Sequence, residues 1–439
     1  MENTKCKIIH IIGRSPAKSA YIELNNPEVS LPNNFVEIPT HPYWVGFFEG
    51  DFYVKVARAI MGATNRYKNE CWQPYIGADR EYTRMIKGIK HRIFPSKPPI
   101  KIKLNRDIIF RDERSLSLLQ ALKEEISKGH VILHFHGFPG GHNEWLLKNL
   151  DLSGTPAVVQ HRGSSFKFEK YKQSRRSLIS RSLYFYHWFF AFIFQKSYYK
   201  KIDKFLMGSV FVGDIIKEMG FKDVLLHKDG VDFDLFTLGS KALVKKELGL
   251  SQDVKILLYV GRFYKKKHVD KLLNVHKLLN KEMQIKLILI GGSESDELYQ
   301  MAKDSSAITI DRLDTHKPEC KELLIKYYQA SDVYILISTA YTARCGGFGT
   351  APVEALACGT PIVGNNLQHF PGSKDELKHL GALCKTEENV IKESIVKVLS
   401  NLESYSRCRE IAKKYYDINI TIQQNLEVYG ELFQKYYGK

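Results

Sequence analysis

The sequence has few of the features that stabilise secreted proteins or anchor proteins in membranes. Its 439 residues include seven cysteines at irregular spacings. Because none of them forms a Cys-x-x-Cys pair, we expect reduced thiols and no zinc site. No apolar run approaches the ~20 residues that a membrane-spanning helix needs. The run 5–12 is too short for a signal peptide and predicts a first strand, so we expect a cytoplasmic protein.

Acidic residues are scarce relative to basic ones. The chain has 65 Lys and Arg against 48 Asp and Glu, a net charge of +17, which favours a phosphorylated substrate or an anionic membrane surface as partner. Nucleic acid is not an expected partner, because no nucleic-acid-binding motif occurs. Two basic stretches, 82–106 and 175–201, contain interleaved apolar residues. Each indicates a surface for anionic lipids; the alternatives are a solvated face for the first and a buried helix with basic ends for the second.

The most informative stretch is 345–364, which has the sequence CGGFGTAPVEALACGTPIVG. It follows an apolar run, 333–337, that predicts a buried strand, and it continues into a predicted short helix at 352–358. A glycine-rich turn that leads into a helix N-terminus presents backbone N–H groups and a partial positive charge, which suit an anionic ligand. Glu354 lies about one turn inside the helix, where its carboxylate can accept hydrogen bonds from sugar hydroxyls.

Two histidines follow predicted strands in the N-terminal half of the chain. The runs 130–136 and 156–160 predict strands, and His136 and His161 stand at their carboxyl ends. Because strand C-termini in a parallel α/β sheet face the ligand crevice, we expect both histidines to lie near a site rather than in a core. Towards the C-terminus, the runs 387–401 and 403–437 predict helices.

The sequence resembles the retaining GT-B glycosyltransferases of family 4 (glycosyl transferases group 1). The resemblance rests on GGFG-x4-E-A-L-A-C-G-T-P within 345–364, on Gly-Arg-x4-Lys at 261–267, and on Asp-Gly-Val-Asp-x3-Phe at 229–236. It implies an α/β protein with two Rossmann-like domains facing across a cleft.

The resemblance also implies a division of the chain. The parts are an N-terminal acceptor-side domain at 1–236, a linker at 237–252, a C-terminal nucleotide-sugar-binding domain at 253–415, and a C-terminal helix at 416–439 that crosses back to the N-terminal domain.

The donor site follows from the same resemblance. Arg262 and Lys267 would hold the diphosphate of a nucleotide-diphosphate sugar, because the charge on the leaving oxygen must be stabilised. The spacing from Arg262 selects Lys267 from a run of three lysines. Glu354 would bind the ribose. The resemblance further implies that Gly349, Thr350 and Ala351 donate backbone N–H groups to the donor. It also implies Gly13 and Gly346 as site residues in glycine loops, although a simple turn is the alternative for Gly13. His136 is a further implied site residue, and His161 is the implied catalytic residue, which positions or polarises the transferred sugar.

The implied activity is metal-independent hexosyl transfer with no cofactor other than the donor. The acceptor would be a glycan or a lipid-linked glycan, at the inner face of a membrane. The family has a glutamate eight residues before Glu354, where this chain has Gly346. The change implies that the enzyme is less selective for the sugar, that another residue makes the contact to the sugar, or that transfer is lost. Two alternatives stay open: a catalytically weakened GT-B protein that acts as a membrane-surface scaffold, and a nucleotide-sugar epimerase, which would need a set of carboxylates in the cleft.

Overall fold

The structure, a computed structural model, divides into two compact units. Unit 1 comprises Met1–His227 together with Ile422–Lys439, and unit 2 comprises Lys228–Thr421. Gly346 and most of the basic stretch 175–201 lie outside the described residues, as do several side chains of the stretch 82–106. The structure describes residues 5–13, 52–75, 78, 80–86, 88–97, 100–104, 106–111, 113–161, 193–294, 296–315, 317–338 and 348–438.

Unit 1 contains an eight-stranded mixed sheet. Its strands are β1 (Cys6–Ile12), β2 (Tyr67–Tyr75), β3 (Tyr82–Ile86), β4 (Ile89–Pro95), β7 (Val131–Phe138), β8 (Ala157–His161), β9 (Lys204–Met207) and β10 (Val224–Leu226), and a separate hairpin pairs β5 (Ile100–Leu104) with β6 (Arg106–Arg111). The helices are α1 (Phe52–Ala63), α2 (Leu116–Lys128), α3 (Gly141–Asn149) and α4 (Val210–Glu218). The eight strands are ordered β10-β9-β8-β7-β1-β2-β4-β3. Neighbouring strands are parallel except for β3, which is antiparallel to β4.

Unit 2 contains a six-stranded parallel sheet ordered β13-β12-β11-β14-β15-β16. The strands are β11 (Lys255–Val260), β12 (Ile285–Gly292), β13 (Ile308–Asp311), β14 (Val333–Leu336), β15 (Ile362–Gly364) and β16 (Gly381–Leu383). The helices are α5 (Lys241–Glu247), α6 (Val269–Leu279), α7 (Tyr299–Lys303), α8 (Pro318–Ala330), α9 (Thr350–Ala357), α10 (Lys374–Lys378), α11 (Glu388–Leu399) and α12 (Cys408–Tyr416). This order is that of a doubly wound sheet, which reverses direction between β11 and β14 and opens a crevice at their carboxyl ends.

The sequence accounts for the central strands of unit 2. Strands β11 and β12 are nearly continuous apolar runs, as expected for parallel strands covered on both faces. From Ile256 to Tyr259, each β11 side chain is at most 1% exposed. The flanking helix α6 buries residues that recur every three to four positions, which is the spacing of one helix face. The buried core therefore fixes the positions of the carboxyl ends of these strands, and the candidate site lies at those ends.

The helices differ from the sequence prediction in two places. The predicted linker 237–252 contains the helix α5. The run 403–437 is divided at Asp417 into α12 and a 20-residue helix, α13 (Ile418–Tyr437). The Val231 N–H donates to the Tyr416 carbonyl at 2.8 Å and the Ile418 N–H donates to the Val231 carbonyl at 2.9 Å, so the backbone between them leaves the helical path. None of the helices that the structure describes combines the length and apolarity needed to cross a membrane.

Candidate active site

A cavity in unit 2 lies where the strand order of the sheet reverses. Its volume is about 240 Å³, and it is bounded by the carboxyl ends of β11 and β14 and the N-terminus of α9. Ligands of doubly wound sheets bind at this position, and the cavity is therefore the candidate active site. The lining residues are Tyr259, Val260, Gly261, Lys267, Tyr334, Leu336, Ser338, Phe348, Gly349, Thr350, Ala351, Pro352 and Asn366.

The N-terminus of α9 forms one wall of this cavity. Gly349 caps the helix with a φ of 88°, a left-handed conformation that glycine adopts without strain. Thr350 and Ala351 are the first two helical residues, and both line the cavity. The first N–H groups of a helix have no partner within the helix, and they carry the positive end of its dipole. The predicted backbone donors thus lie at the cavity, where an anion can accept from them.

Lys267 provides a side-chain cation at the same cavity. A short 3-10 turn, Lys265–Lys267, follows β11, and it leaves Lys265 and Lys266 exposed while Lys267 is half-buried and lines the cavity. Burial lowers the pKa of the Lys267 ammonium below its ordinary value. Removal of water from a cation makes its charge more available to a bound anion. The structure therefore distinguishes the three adjacent lysines in the way that the spacing predicted.

Arg262, the second predicted cation, is held by a neighbour. Its Nη1 donates to the Tyr264 hydroxyl at 2.6 Å, and its guanidinium lies 5.7 Å from the centre of the Tyr264 ring. Arg262 directly follows Gly261, which lines the cavity, but is not itself among the described residues that line it. The structure thus places only Lys267 of the predicted pair at the cavity wall.

Glu354 lies on α9 and is half-buried. Its Oε2 accepts a hydrogen bond at 2.9 Å from the hydroxyl of Tyr328, a fully buried residue of α8. Burial, and next the negative charge of Glu354, raises the pKa of Tyr328 well above its ordinary value, so Tyr328 remains a donor. A carboxylate has about four lone-pair sites, and Tyr328 donates to one of the two oxygens. The sequence did not indicate this orienting role of Tyr328.

Asn366 is a cavity residue to which the sequence analysis assigned no role. It is 2% exposed, and its Nδ2 donates to the Phe348 carbonyl at 3.0 Å. The neighbouring Asn365 accepts from the Ser338 N–H at 3.0 Å. The two asparagines thereby fix backbone on both sides of residues 339–347, which lie outside the described part of the chain. The feature of the sequence that could have indicated this role is the pair of adjacent asparagines directly after the strand β15.

The N-terminal histidines are buried, whereas the sequence placed them beside a site. His136 is 2% and His161 1% exposed. Strand β7 does not end at His136 but continues through Gly137 to Phe138. Gln160 pairs with His136 in register, so the alternation of side chains along β8 directs His161 to the other face of the sheet. The structure therefore does not bring His136 and His161 together on one face.

Gly13 follows β1, where a close contact requires a glycine. A Cβ atom at this position would lie 2.6 Å from Asn143 Nδ2 and 2.9 Å from the His136 carbonyl oxygen. The Asn143 side chain crosses this point to donate to the same carbonyl at 2.6 Å. The packing of Asn143 thus gives a steric reason for glycine at position 13.

Comparison with known protein families relates unit 2 to sugar transfer. Residues 240–415 match the family model described as "Glycosyl transferases group 1". The D-inositol 3-phosphate glycosyltransferase of Mycolicibacterium smegmatis is 34% identical over 140 residues, 30% of this chain and 30% of that protein. The enzyme of the same name from Thermobifida fusca is 32% identical over 151 residues, 32% of this chain and 34% of that protein. The chain thus spans about a third of the length of the curated relatives that it matches.

Solved structures resemble the whole chain. Sucrose-phosphate synthase from Thermosynechococcus elongatus superposes with a TM-score of 0.65 at 15% identity, covering 98% of this chain and 100% of that chain. Anabaena HepE, crystallised with UDP, gives a TM-score of 0.61 at 13% identity, covering 97% of this chain and 100% of that chain. At such identities the likeness shows the fold. The predicted fold class is confirmed: the chain is an α/β protein with two parallel-sheet units and the GT-B fold, and the family match over 240–415 supports a group 1 glycosyltransferase.

Proposed function

We propose that this protein is a retaining glycosyltransferase that moves a sugar from a nucleotide-diphosphate donor to an acceptor hydroxyl. The observation that carries the proposal is the cavity of unit 2, because a half-buried lysine and a helix N-terminus lie together at the reversal point of a doubly wound sheet. Both features suit a diphosphate. The family match of 240–415 supports the same activity.

In this proposal the donor binds through its diphosphate and its ribose. The diphosphate accepts from Lys267 and from the N–H groups of Gly349, Thr350 and Ala351, and Arg262 joins them by exchanging Tyr264 for a phosphate oxygen. The ribose hydroxyls donate to Glu354, which Tyr328 orients.

The transfer step depends on charge stabilisation at the leaving group. The bond from the anomeric carbon to the diphosphate oxygen breaks, and the nucleoside diphosphate leaves with the electron pair. The acceptor hydroxyl forms the new bond with retained configuration, and its proton passes to the departing phosphate oxygen. Lys267 and the α9 N-terminus stabilise the developing negative charge without reorganising, so the step requires no metal ion. Of the two histidines, His161 alone keeps its predicted role at the transferred sugar in this proposal.

The acceptor is proposed to be a glycan or a lipid-linked glycan. The support is the net charge of +17, which would hold the protein at an anionic membrane surface and near an anionic acceptor. Sedimentation with anionic and with neutral vesicles tests this part separately. Retention by anionic vesicles alone is the expected result, and failure to bind either kind contradicts it.

The first experiment is a thermal-shift screen of UDP, GDP, ADP and their sugars. UDP is the first to test, because HepE was crystallised with it. A nucleotide at ~100 times its dissociation constant raises the stability by roughly 2.7 kcal/mol. We expect a shift with one base, lost in Lys267→Ala and kept in the matched control Lys266→Ala, whose side chain is exposed. No shift with any nucleotide would contradict donor binding and would favour the scaffold alternative.

A further inference from the structure

Three buried histidines share one face of the sheet in unit 1. His10 on β1 pairs in register with His134 on β7, and His136 lies two residues further along β7, on the same face. None of the three is more than 2% exposed. One ring nitrogen from each lies within 4.8 Å of the others. The strand order of this sheet reverses between β1 and β7, which is where sheets of this kind bind ligands.

The hydrogen bonds of His10 determine which of its nitrogens carries a lone pair. Its Nε2 lies 3.0 Å from Asn69 Oδ1, and because an amide oxygen only accepts, Nε2 carries the proton. The lone pair is therefore on Nδ1, which faces His136 Nε2 at 2.9 Å. In metal sites a ligating histidine commonly donates its other N–H to an oxygen in this way, which orients the ring.

His134 is oriented in a similar manner from the opposite side. Its Nδ1 lies 2.6 Å from the hydroxyl of Tyr429, a fully buried residue of α13. Its ring stacks on that of His136 with the centres 4.0 Å apart. The bond at Nδ1 assigns the ligating role in His134 to Nε2. The cluster thus has two outer partners, Asn69 and Tyr429, that fix the orientation of two of its three rings.

We propose that His10, His134 and His136 bind one divalent transition-metal ion, with Zn²⁺ as the expected species. Imidazole ligands favour Zn²⁺ and its first-row neighbours over Mg²⁺ and Ca²⁺. With metal–nitrogen distances of ~2.0–2.1 Å, tetrahedral geometry sets the ligating nitrogens about 3.3 Å apart. The 2.9 Å separation of His10 and His136 therefore widens slightly, and the longer separations shorten by small ring rotations.

A water molecule completes the coordination of this ion. The ion would join β1 to β7 and, through Tyr429, contact α13. The proposed sugar transfer does not use it, and the two proposals stand independently.

Cobalt titration of the full-length protein tests the site. After treatment with a chelator, we expect one Co²⁺ per chain, with the strong visible absorption of four-coordinate Co²⁺ and with displacement by Zn²⁺ but not by Mg²⁺. His134→Gln should abolish this binding. The matched control is His227→Gln, because His227 is also buried in unit 1, at 1% exposed, but bonds to Gln160 and Asn425.

The contrary outcomes are equally specific. No stoichiometric Co²⁺ binding by the wild-type protein, or equal binding by His134→Gln, would overturn the site and leave the histidines as a hydrogen-bonded network. If His134→Gln does not fold, the variant Asn69→Ala tests the metal site instead. It keeps the three imidazoles and removes the acceptor that orients His10, so the affinity for Co²⁺ should fall about 10–100-fold. An unchanged affinity would also overturn the proposal.

Discussion

The central sheets of the two units place their buried polar groups differently. In unit 2 the strands β11 and β14 are apolar or aromatic along their buried length, and Lys267 and the backbone donors of α9 lie beyond their carboxyl ends. In unit 1 the strands β1 and β7 bury three imidazoles within one face of the sheet. A cavity beside a helix N-terminus suits an anion that binds and leaves, whereas nitrogens inside a covered face suit a permanently held group. Two sheets with a similar order of strands can therefore suit different kinds of bound group.

The largest expected effect concerns the strand ends opposite the cavity. Asp332, directly before β14, is 2% exposed; it accepts from the Ile256 N–H at 2.8 Å and lies 3.5 Å from the buried Lys245. Asp332→Ala leaves that lysine without its counter-charge, and we expect a loss of about 3–5 kcal/mol in the free energy of unfolding. Denaturant titration measures it.

The control for Asp332 is Asp375→Ala. Asp375 pairs with Lys378 at 3.2 Å, but both side chains are at least 75% exposed, so the loss should stay below about 0.5 kcal/mol. Similar losses for the two variants would show that charge at the amino ends of the unit 2 strands does not stabilise the sheet.

Two tyrosines provide the next comparison, one in each unit. The Tyr328 hydroxyl donates to Glu354 Oε2, and the Tyr429 hydroxyl lies within hydrogen-bond distance of His134 Nδ1. Each Tyr→Phe change removes one bond from a buried group and should cost about 1–3 kcal/mol of stability. Tyr328→Phe should also weaken nucleotide binding several-fold, while Tyr429→Phe should weaken Co²⁺ binding about 10–100-fold.

Calorimetric titration of each variant with both ligands measures the difference. Equal effects of Tyr328→Phe and Tyr429→Phe on nucleotide binding would contradict the assignment of the donor to the cavity of unit 2.

The pH dependence of nucleotide binding is a smaller effect. The protonated Lys267 binds the diphosphate, and burial lowers its pKa in the free protein. Affinity should therefore be constant well below that pKa and fall as the pH rises through it, at a lower pH than an ordinary lysine would show. Lys267→Arg should hold its affinity to higher pH, because the guanidinium keeps its proton. Coincident pH profiles for the two proteins would exclude Lys267 as the responsible group.

The smallest effect is expected at His268. Its φ of 51° is in the left-handed region, which a β-branched residue enters at a cost of roughly 1–2 kcal/mol. His268→Val should therefore lower the melting temperature and His268→Gly should leave it nearly unchanged. Because this residue directly follows Lys267, a matching loss of nucleotide affinity in the valine variant alone would show that the turn positions the lysine. Equal melting temperatures for the valine and glycine variants would show that a β-branched residue is not strained at position 268.

The candidate site was predictable to the extent that it is local in the sequence. The strand, glycine turn and helix around Gly349 occur within one stretch, and the spacing from Arg262 identified the one lysine of three that lines the cavity. The rest depends on packing between distant segments. Tyr328 orients Glu354 across 26 residues, and Asn366 donates to the Phe348 carbonyl across 18 residues. Neither bond has a periodic or spacing signal.

The sequence by itself determined the α/β class and the glycine turn that leads into α9 of unit 2, because both follow from short-range patterns of apolar residues and glycine. Only the tertiary structure decided that His10 meets His136, which lies 126 residues further along the chain. Strand order and register bring such residues together, and neither is encoded in the spacing of a single strand. The same register buried His136 and separated it from His161. Long-range pairing therefore decided which of the predicted histidines lie together.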